Sequence, residues 1–295
     1  MEKFKASFWF RIICQLCYHR RLATLDRLVL YTLSGLFMHA LVNIALRAAN
    51  DAGEALAHSS ERLDKVSVLD SNPDNFVTSL DENANRTILY HLDKAFPTHS
   101  IRSRVSGFKQ GTDKTTTWLV DPLIGGQNLS RGYPAYGVSI ACEINGVISH
   151  SVVVCPALRE EISASRGKGA QLNSRRIRVN PEPKLGSALF AVNASADSID
   201  TQLAIEKNLV NQGGSIRNCG VTALDLVATA IGRIDGGWAQ QQYSVGLAAA
   251  LLILQEAGGM VANETGNPNI ADARELIYAS PSVFKQLMKI RGAVR

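Results

Sequence analysis

The stretch WLVDPLIGGQNL, residues 118–129, constrains the fold more than any other part of the chain. An apolar run of strand type leads into Asp121-Pro122, and the pair Gly125-Gly126 follows where a helix can begin on an anion. Strand, turn and helix in that order are the parts of an α/β layer. The corner also has the shape of a metal-binding turn, yet Asp121 is the one carboxylate left in it.

The flanking segments supply the other layers. Residues 75–96 carry Leu80, Ala84, Ile88, Leu92 and Phe96 at a spacing of four, which predicts a helix with one buried stripe, stopped by Pro97. A polar connection over 106–117 leads to the opening strand. Beyond the turn, β-rich runs break at Asn145-Gly146, a hairpin signal, and again at Pro156, so an antiparallel sheet is expected. A boundary falls at 181–184, and strand and helix alternate after it. ALFAVNAS, a helix over 198–212, SIRNCG and a helix carrying Leu224, Val227, Ala228 and Ile231 come in turn, and then LAAALLILQEA closes at Gly258-Gly259 before a strand. Two sheets with helices on their faces satisfy this pattern. The expected organisation is an extension over 1–37, an α+β part with the antiparallel sheet over 38–182, and an α/β part over 183–295.

With 295 residues, 46% hydrophobic and 19% charged, the chain is long enough to bury a core and too apolar for general disorder. Its five scattered cysteines fit a reducing, cytoplasmic compartment better than a disulfide framework. The net charge of +5 is uneven, because residues 1–37 hold six basic against two acidic side chains and the remainder is near neutral. Direct nucleic-acid binding by the globular part is therefore not expected. Between Arg27 and Arg47 no residue is charged, a length near that of a membrane span, but His39 and Asn43 interrupt it. From Met38 onward the run is amphipathic, with Leu41, Ile44, Ala45, Ala48 and Ala52 on one face. Membrane contact by residues 1–46 is thus disfavoured, and residues 1–37 read as a membrane-surface helix, a partner-binding extension, or translated upstream sequence ahead of a start at Met38. The lone pair Cys14 and Cys17 lacks the second pair that zinc needs.

Taken in order, FVTSLD, FPTHSI, WLVDPLIGGQN, VSIA, RGKGAQLN, TALDLVATAIGRIDG and EAGGMV resemble the inositol monophosphatase family, in particular its bacterial members. The resemblance covers the chain from about Met38 to its end. It implies a layered αβαβα sandwich of the inositol monophosphatase and fructose-1,6-bisphosphatase superfamily. It also implies, for an active member, carboxylates from three separated motifs holding Mg²⁺ ions that polarise a phosphate ester and supply hydroxide.

Matched residue by residue, the family's D-P-L-D-G-T-x-N turn falls on 121–128. Asp121 and the Leu123 carbonyl remain as metal-site remnants and Gly125 and Gly126 as the phosphate corner, while Ile124 replaces the second Asp and Gly126 the water-orienting Thr. The family's two glutamates fall on Arg104 and Val105, and the Asp of its D-x-V-T motif on Asn75. Downstream, the substrate-contacting Glu falls on Ala239 and the Asp of Trp-Asp on Gly246. Mg²⁺ wants near-octahedral oxygen coordination, which Asp121 and one carbonyl do not provide. Arg104 is expected to pair with Asp121 in place of the cation.

These substitutions, set against intact helix stripes and turns, predict a folded pseudoenzyme with no cofactor, or Mg²⁺ if activity persists. It would act by binding, as a homodimer, as partner of an active paralogue, or with RNA polymerase and NusA, since bacterial members of the family join the Nus-factor antitermination complex. The alternative is an Mg-dependent phosphatase of inositol-1-phosphate or a related sugar phosphate, with Asp81, Glu82, Asp113 or Asp235 as substitute ligands. Plainer readings stand beside these. Asp121 can be a turn former capping the next helix, His99, His150, Ser103, Ser106 and Ser139 lack a catalytic constellation, and Cys155 is a small buried hydrophobe.

Overall fold

The structure, a computed structural model, describes residues 24–72, 76–181, 184–193, 196–240 and 244–294. Backbone contacts divide the chain into 1–41 and 42–295, and the sheets belong to the second unit. Helix α1 spans Thr24–Ser60, so no helix start coincides with Met38. Its buried residues include Leu41, Ala45, Ala48, Ala49, Ala52 and Leu56, with Ile44 only half-buried, a small correction to the expected stripe. Among the described residues no helix is long and apolar enough to cross a membrane. Cys14 and Cys17 lie outside the described residues.

Short strands β1 (Val68–Asp70) and β2 (Val77–Thr78) pair before α2 (Ser79–Ala95). The helix therefore begins four residues later than the periodicity placed it, because Thr78 is extended and caps it. Thr78 Oγ1 accepts from Leu80 N, and the backbone N–H of Thr78 donates to Asp81 at 2.8 Å, a capping box. Next come β3 (Ser100–Ser103), β4 (Gly107–Lys109), β5 (Thr116–Ile124), α3 (Gly126–Leu129), β6 (Gly137–Ile144), β7 (Val147–Cys155), β8 (Glu160–Ser165), β9 (Gly169–Leu172) and β10 (Arg175–Ile177). The polar stretch read as a plain connection thus contains β4, at one edge of the sheet. These strands form one eight-stranded sheet in the order β10-β9-β8-β7-β6-β5-β3-β4, antiparallel except for the parallel pair β3 and β5. Asn145 and Gly146, both with positive φ, close the β6–β7 hairpin as their sequence predicts.

A second, five-stranded sheet has the order β12-β11-β13-β15-β14, from β11 (Leu189–Asn193), β12 (Ser215–Arg217), β13 (Gly236–Gln240), β14 (Met260–Ala262) and β15 (Glu275–Ala279). Its helices are α4 (Ile199–Asn211), α5 (Thr222–Ala230), α6 (Val245–Glu256) and α7 (Pro281–Ala293). Every residue of α6 from Gly246 to Leu254 is buried, which requires packing on all sides. It meets that need with α5, sharing one core with Leu119 and Val153 of the first sheet and Leu276 and Tyr278 of the second. On the far side of the second sheet, Phe190 and Trp238 pack against Ile205 of α4 and Leu287 of α7. On the far side of the first, α1 brings Gly53 onto Val154. The layers are therefore α, β, α, β, α.

Candidate functional site

Strand β5 is buried along nearly all its length and is central in its sheet, an unusual place for Pro122. The conflict is relieved by a bulge. Asp121 pairs with Ser139 and Ile124 with Gly137, so one extra residue stands on β5 where the proline lacks an N–H. Because β3 runs parallel to β5 with Ser103 opposite Val120, the next residue, Arg104, emerges beside Asp121. Its backbone continues the ladder through N–H donation to the Val120 carbonyl at 3.0 Å.

The Arg104 guanidinium then bridges three acceptors at the corner. Its Nε donates to Asp121 Oδ1 at 2.8 Å, and its Nη2 donates to the Leu123 carbonyl at 3.1 Å and to Asp81 Oδ1. Asp81 arrives from the first turn of α2 and is 0% exposed. Its other oxygen accepts from the Thr78 N–H and from Thr78 Oγ1 at 2.7 Å. Burial works against the charge on Arg104, but Asp121 and Asp81 outweigh it and raise its pKa above the ordinary arginine value.

Position 246 completes the enclosure. A Cβ there would stand 2.5 Å from Asp121 Oδ2 and 3.2 Å from Ile124 Cγ2, so the glycine lets the helix backbone close against the carboxylate. Ser139 Oγ donates to the Gly246 carbonyl at 3.0 Å, pinning the same turn. Gly125 has φ +78, and a Cβ on it would lie 2.5 Å from the Ala135 carbonyl, so this corner requires glycine. A cavity of about 260 Å³ opens over Arg104, Asp121, Gly125 and Gly126, walled also by Ile124 and Val221.

Several expected residues thus meet here, namely Asp121, the Leu123 carbonyl, Gly125, Gly126, Arg104, Ile124 and Gly246. Others do not. Val105 is half-buried and does not line the cavity, so the first of the two positions matched to glutamates, Arg104, faces the site. Ala239 is buried in β13 between Asn193 and Leu276 and is likewise absent from the cavity wall. Asn75 lies outside the described residues. Asp121 acts as a turn former, its Oδ1 accepting from the Leu123 N–H at 3.3 Å, but it does not cap α3, whose N-cap Gly125 has no side-chain bond, so the capping half of the plainer reading is corrected.

Of the four substitute acids, Asp81 alone reaches the site. The Thr78-x-x-Asp81 pattern is a capping-box signal that could have placed it in the first turn of a helix, but nothing in the sequence aimed it at Asp121. Glu82 is exposed, Asp113 lies 3.7 Å from His99, and Asp235 binds Asn180 and the Leu189 N–H. His99 accepts from Trp118 Nε1, His150 meets Ser165 at 2.9 Å and Ser103 donates to Asn85. Ser106 is exposed, and its backbone N–H donates to Ser103 Oγ at 3.4 Å. Cys155 is buried, which pushes its thiol up to about 12.

The donor set does not fit Mg²⁺. Two carboxylates and one carbonyl point inward and one guanidinium engages all three, while Ile124 and Gly246, which the resemblance matches to ligand positions, bring no side-chain oxygen. Among the described residues, no group of three or more His, Cys, Asp or Glu side chains gathers around a common metal position.

Residues 38–293 match the sequence profile described as the inositol monophosphatase family. The chain is 39% identical to the Nus factor SuhB of Pseudomonas aeruginosa over 258 residues, covering 85% of this chain and 95% of that one. It is 34% identical to the Nus factor SuhB of Escherichia coli over 254 residues, again 85% and 95%. Among solved structures it resembles the extragenic suppressor protein suhB of Bartonella henselae, with a TM-score of 0.83, 30% identity and coverage of 86% and 99%. An inositol monophosphatase of Thermotoga maritima aligns with a TM-score of 0.78, 26% identity and coverage of 86% and 98%.

Proposed function

This chain belongs to the inositol monophosphatase family, and on that premise we propose that it is a non-hydrolytic member, a cytoplasmic binding protein of the Nus-factor type. The observation that carries the reading is the Arg104 guanidinium, bonded at once to Asp121, Asp81 and the Leu123 carbonyl. A fixed organic cation stands where the oxygens converge, and it has no exchangeable water to ionise and no open coordination position. An anion at Gly125 and Gly126 would be held there without being cleaved. The relatives named as Nus factors support a role in an assembly with RNA polymerase and NusA. The reading further takes the chain to act as a homodimer or alongside an active paralogue.

The test compares hydrolysis of inositol-1-phosphate in Mg²⁺ by the natural protein and by a variant carrying Arg104→Glu, Ile124→Asp, Gly126→Thr and Gly246→Asp. We expect no turnover by the natural protein. Chelator-sensitive turnover by it would overturn the non-hydrolytic reading and leave the alternative, an Mg-dependent sugar-phosphate phosphatase using Asp81 and Asp121. Binding of Mg²⁺ by the variant alone, read by calorimetry, would identify these positions as the cause. Restoring Val105 is unnecessary, because its side chain does not line the cavity. The partner arm is a pull-down, in which enrichment of RNA polymerase and NusA is expected and its absence counts against the Nus-type role.

A further inference from the structure

The near-neutral total over 38–295 conceals a local concentration of charge. Residues 159–178 hold six basic side chains, Arg159, Arg166, Lys168, Arg175, Arg176 and Arg178, against Glu160 and Glu161. The fold gathers most of them at one edge of the larger sheet. Strand β10 is an edge strand, paired on one side with β9 through Arg175 to Leu172, Arg176 to Gln171 and Ile177 to Ala170. The same register brings the β8–β9 turn, with Arg166 and Lys168, beside the end of β10. Arg176 lies across that turn, its guanidinium nitrogens 3.3 and 3.4 Å from where a Gly169 Cβ would stand.

These cations are exposed, although the Arg166 Nε is already engaged by the Ile148 carbonyl at 2.8 Å. Arg166, Lys168, Arg175, Arg176 and Arg178 are all solvent-exposed, and none forms an ion pair among the described residues. The acid that reaches the turn, Glu256, is occupied by the N–H groups of Gly167 and Gly169 at 2.8 Å each. Glu160 is taken by Arg233. An edge strand also carries backbone N–H and C=O groups on its outer side that can pair with an added strand.

We infer that this edge is a docking site for an extended acidic protein segment, which adds to β10 and sets its carboxylates against Arg176, Arg178 and the β8–β9 turn. Alternate residues of a strand recur at roughly 7 Å, so an added strand with acids at every second position matches arginines two residues apart. Single-stranded RNA fits less well, because the edge offers no aromatic side chain on which bases could stack. The inference holds whether or not the cavity around Arg104 hydrolyses phosphate.

The experiment measures binding of the full chain to a labelled peptide of alternating Glu and Val, with an alternating Gln and Val peptide and oligouridylate as comparisons. The acidic peptide should bind, weaken as salt rises, and lose at least about tenfold in affinity when Arg176→Glu and Arg178→Glu are combined. Arg102→Glu, on β3 toward the other edge, should leave binding unchanged, and an unshifted melting temperature for each variant shows the fold intact. Methylating alternate peptide nitrogens of the ligand should abolish binding, as strand addition requires. No binding of the acidic peptide would overturn the inference and leave the arginines as guards against edge-to-edge aggregation. Tighter binding of oligouridylate, lost in the same double variant, would overturn it in favour of a nucleic-acid surface.

Discussion

Arg104 decides the character of the site because it turns two buried acids from a liability into a network. With Arg104→Ala, Asp81 at 0% and Asp121 at 6% exposure would face each other uncompensated. The expected cost is about 3–5 kcal/mol, measured by urea unfolding at neutral pH. Arg104→Lys should recover only part of it, since an ammonium cannot fork to three acceptors. Gly246→Ala should cost about 1–3 kcal/mol by the same assay, because its Cβ must displace Asp121 Oδ2 from 2.5 Å. A third residue sets a pH dependence. Asp225, buried and bonded by Asn193 and Cys219, has its pKa raised by burial from 3.8 to about 6. A raised acid binds its proton more tightly when folded, so its contribution is complete below about pH 4 and is lost as pH climbs to about 6. The whole shift is worth about 3 kcal/mol, and Asp225→Asn should flatten that part of the stability curve. At this scale the sequence told that Arg104 would meet Asp121. It did not tell that Asp81 joins them, because that contact depends on the angle at which α2 crosses β5, nor that Gly246 lets the backbone close over the gap.

The elements show why the site keeps its shape. Asp81 is both the far half of a capping box and a partner of Arg104, so the start of α2 and the end of β3 are one unit. Thr78→Ala should therefore cost about 1–2 kcal/mol, at the upper end for a cap, and should loosen amide-exchange protection at Arg104 as well as in α2. Element types were legible where one signal dominated: the spacing of four in α2, the Asn145-Gly146 turn, and in α6 a long apolar run closed by Gly258-Gly259. Their ends were not. β2 looked like the first turn of a helix because Phe76 and Leu80 also fit a spacing of four, and β4 was invisible because three exposed residues have no pattern to read. The bulge at Pro122 was likewise hidden, since a proline in a buried run signals a turn until the partner strand is known.

For the molecule as a whole, the two sheets and the buried helices α5 and α6 leave no layer that waits for a metal to be completed. The melting temperature should thus be the same with Mg²⁺ and with chelator, whereas a protein stabilised by a bound cation gains with its concentration. A Mg²⁺-dependent rise in a thermal scan would contradict the built-in-cation reading. Summed quantities misled at this scale, because a net charge near zero over 38–295 hid the basic edge along β10.

The contact between Gly246 and Asp121 bears on the direction in which such a protein can change. An aspartate at 246 collides with Asp121 while Arg104 holds it, and a glutamate at 104 placed first would crowd three carboxylates with nothing between them. Each of these single substitutions is expected to be less stable than the natural protein, so their effects are coupled and not additive. On the non-hydrolytic reading proposed above, building a metal site here would therefore need several substitutions at once.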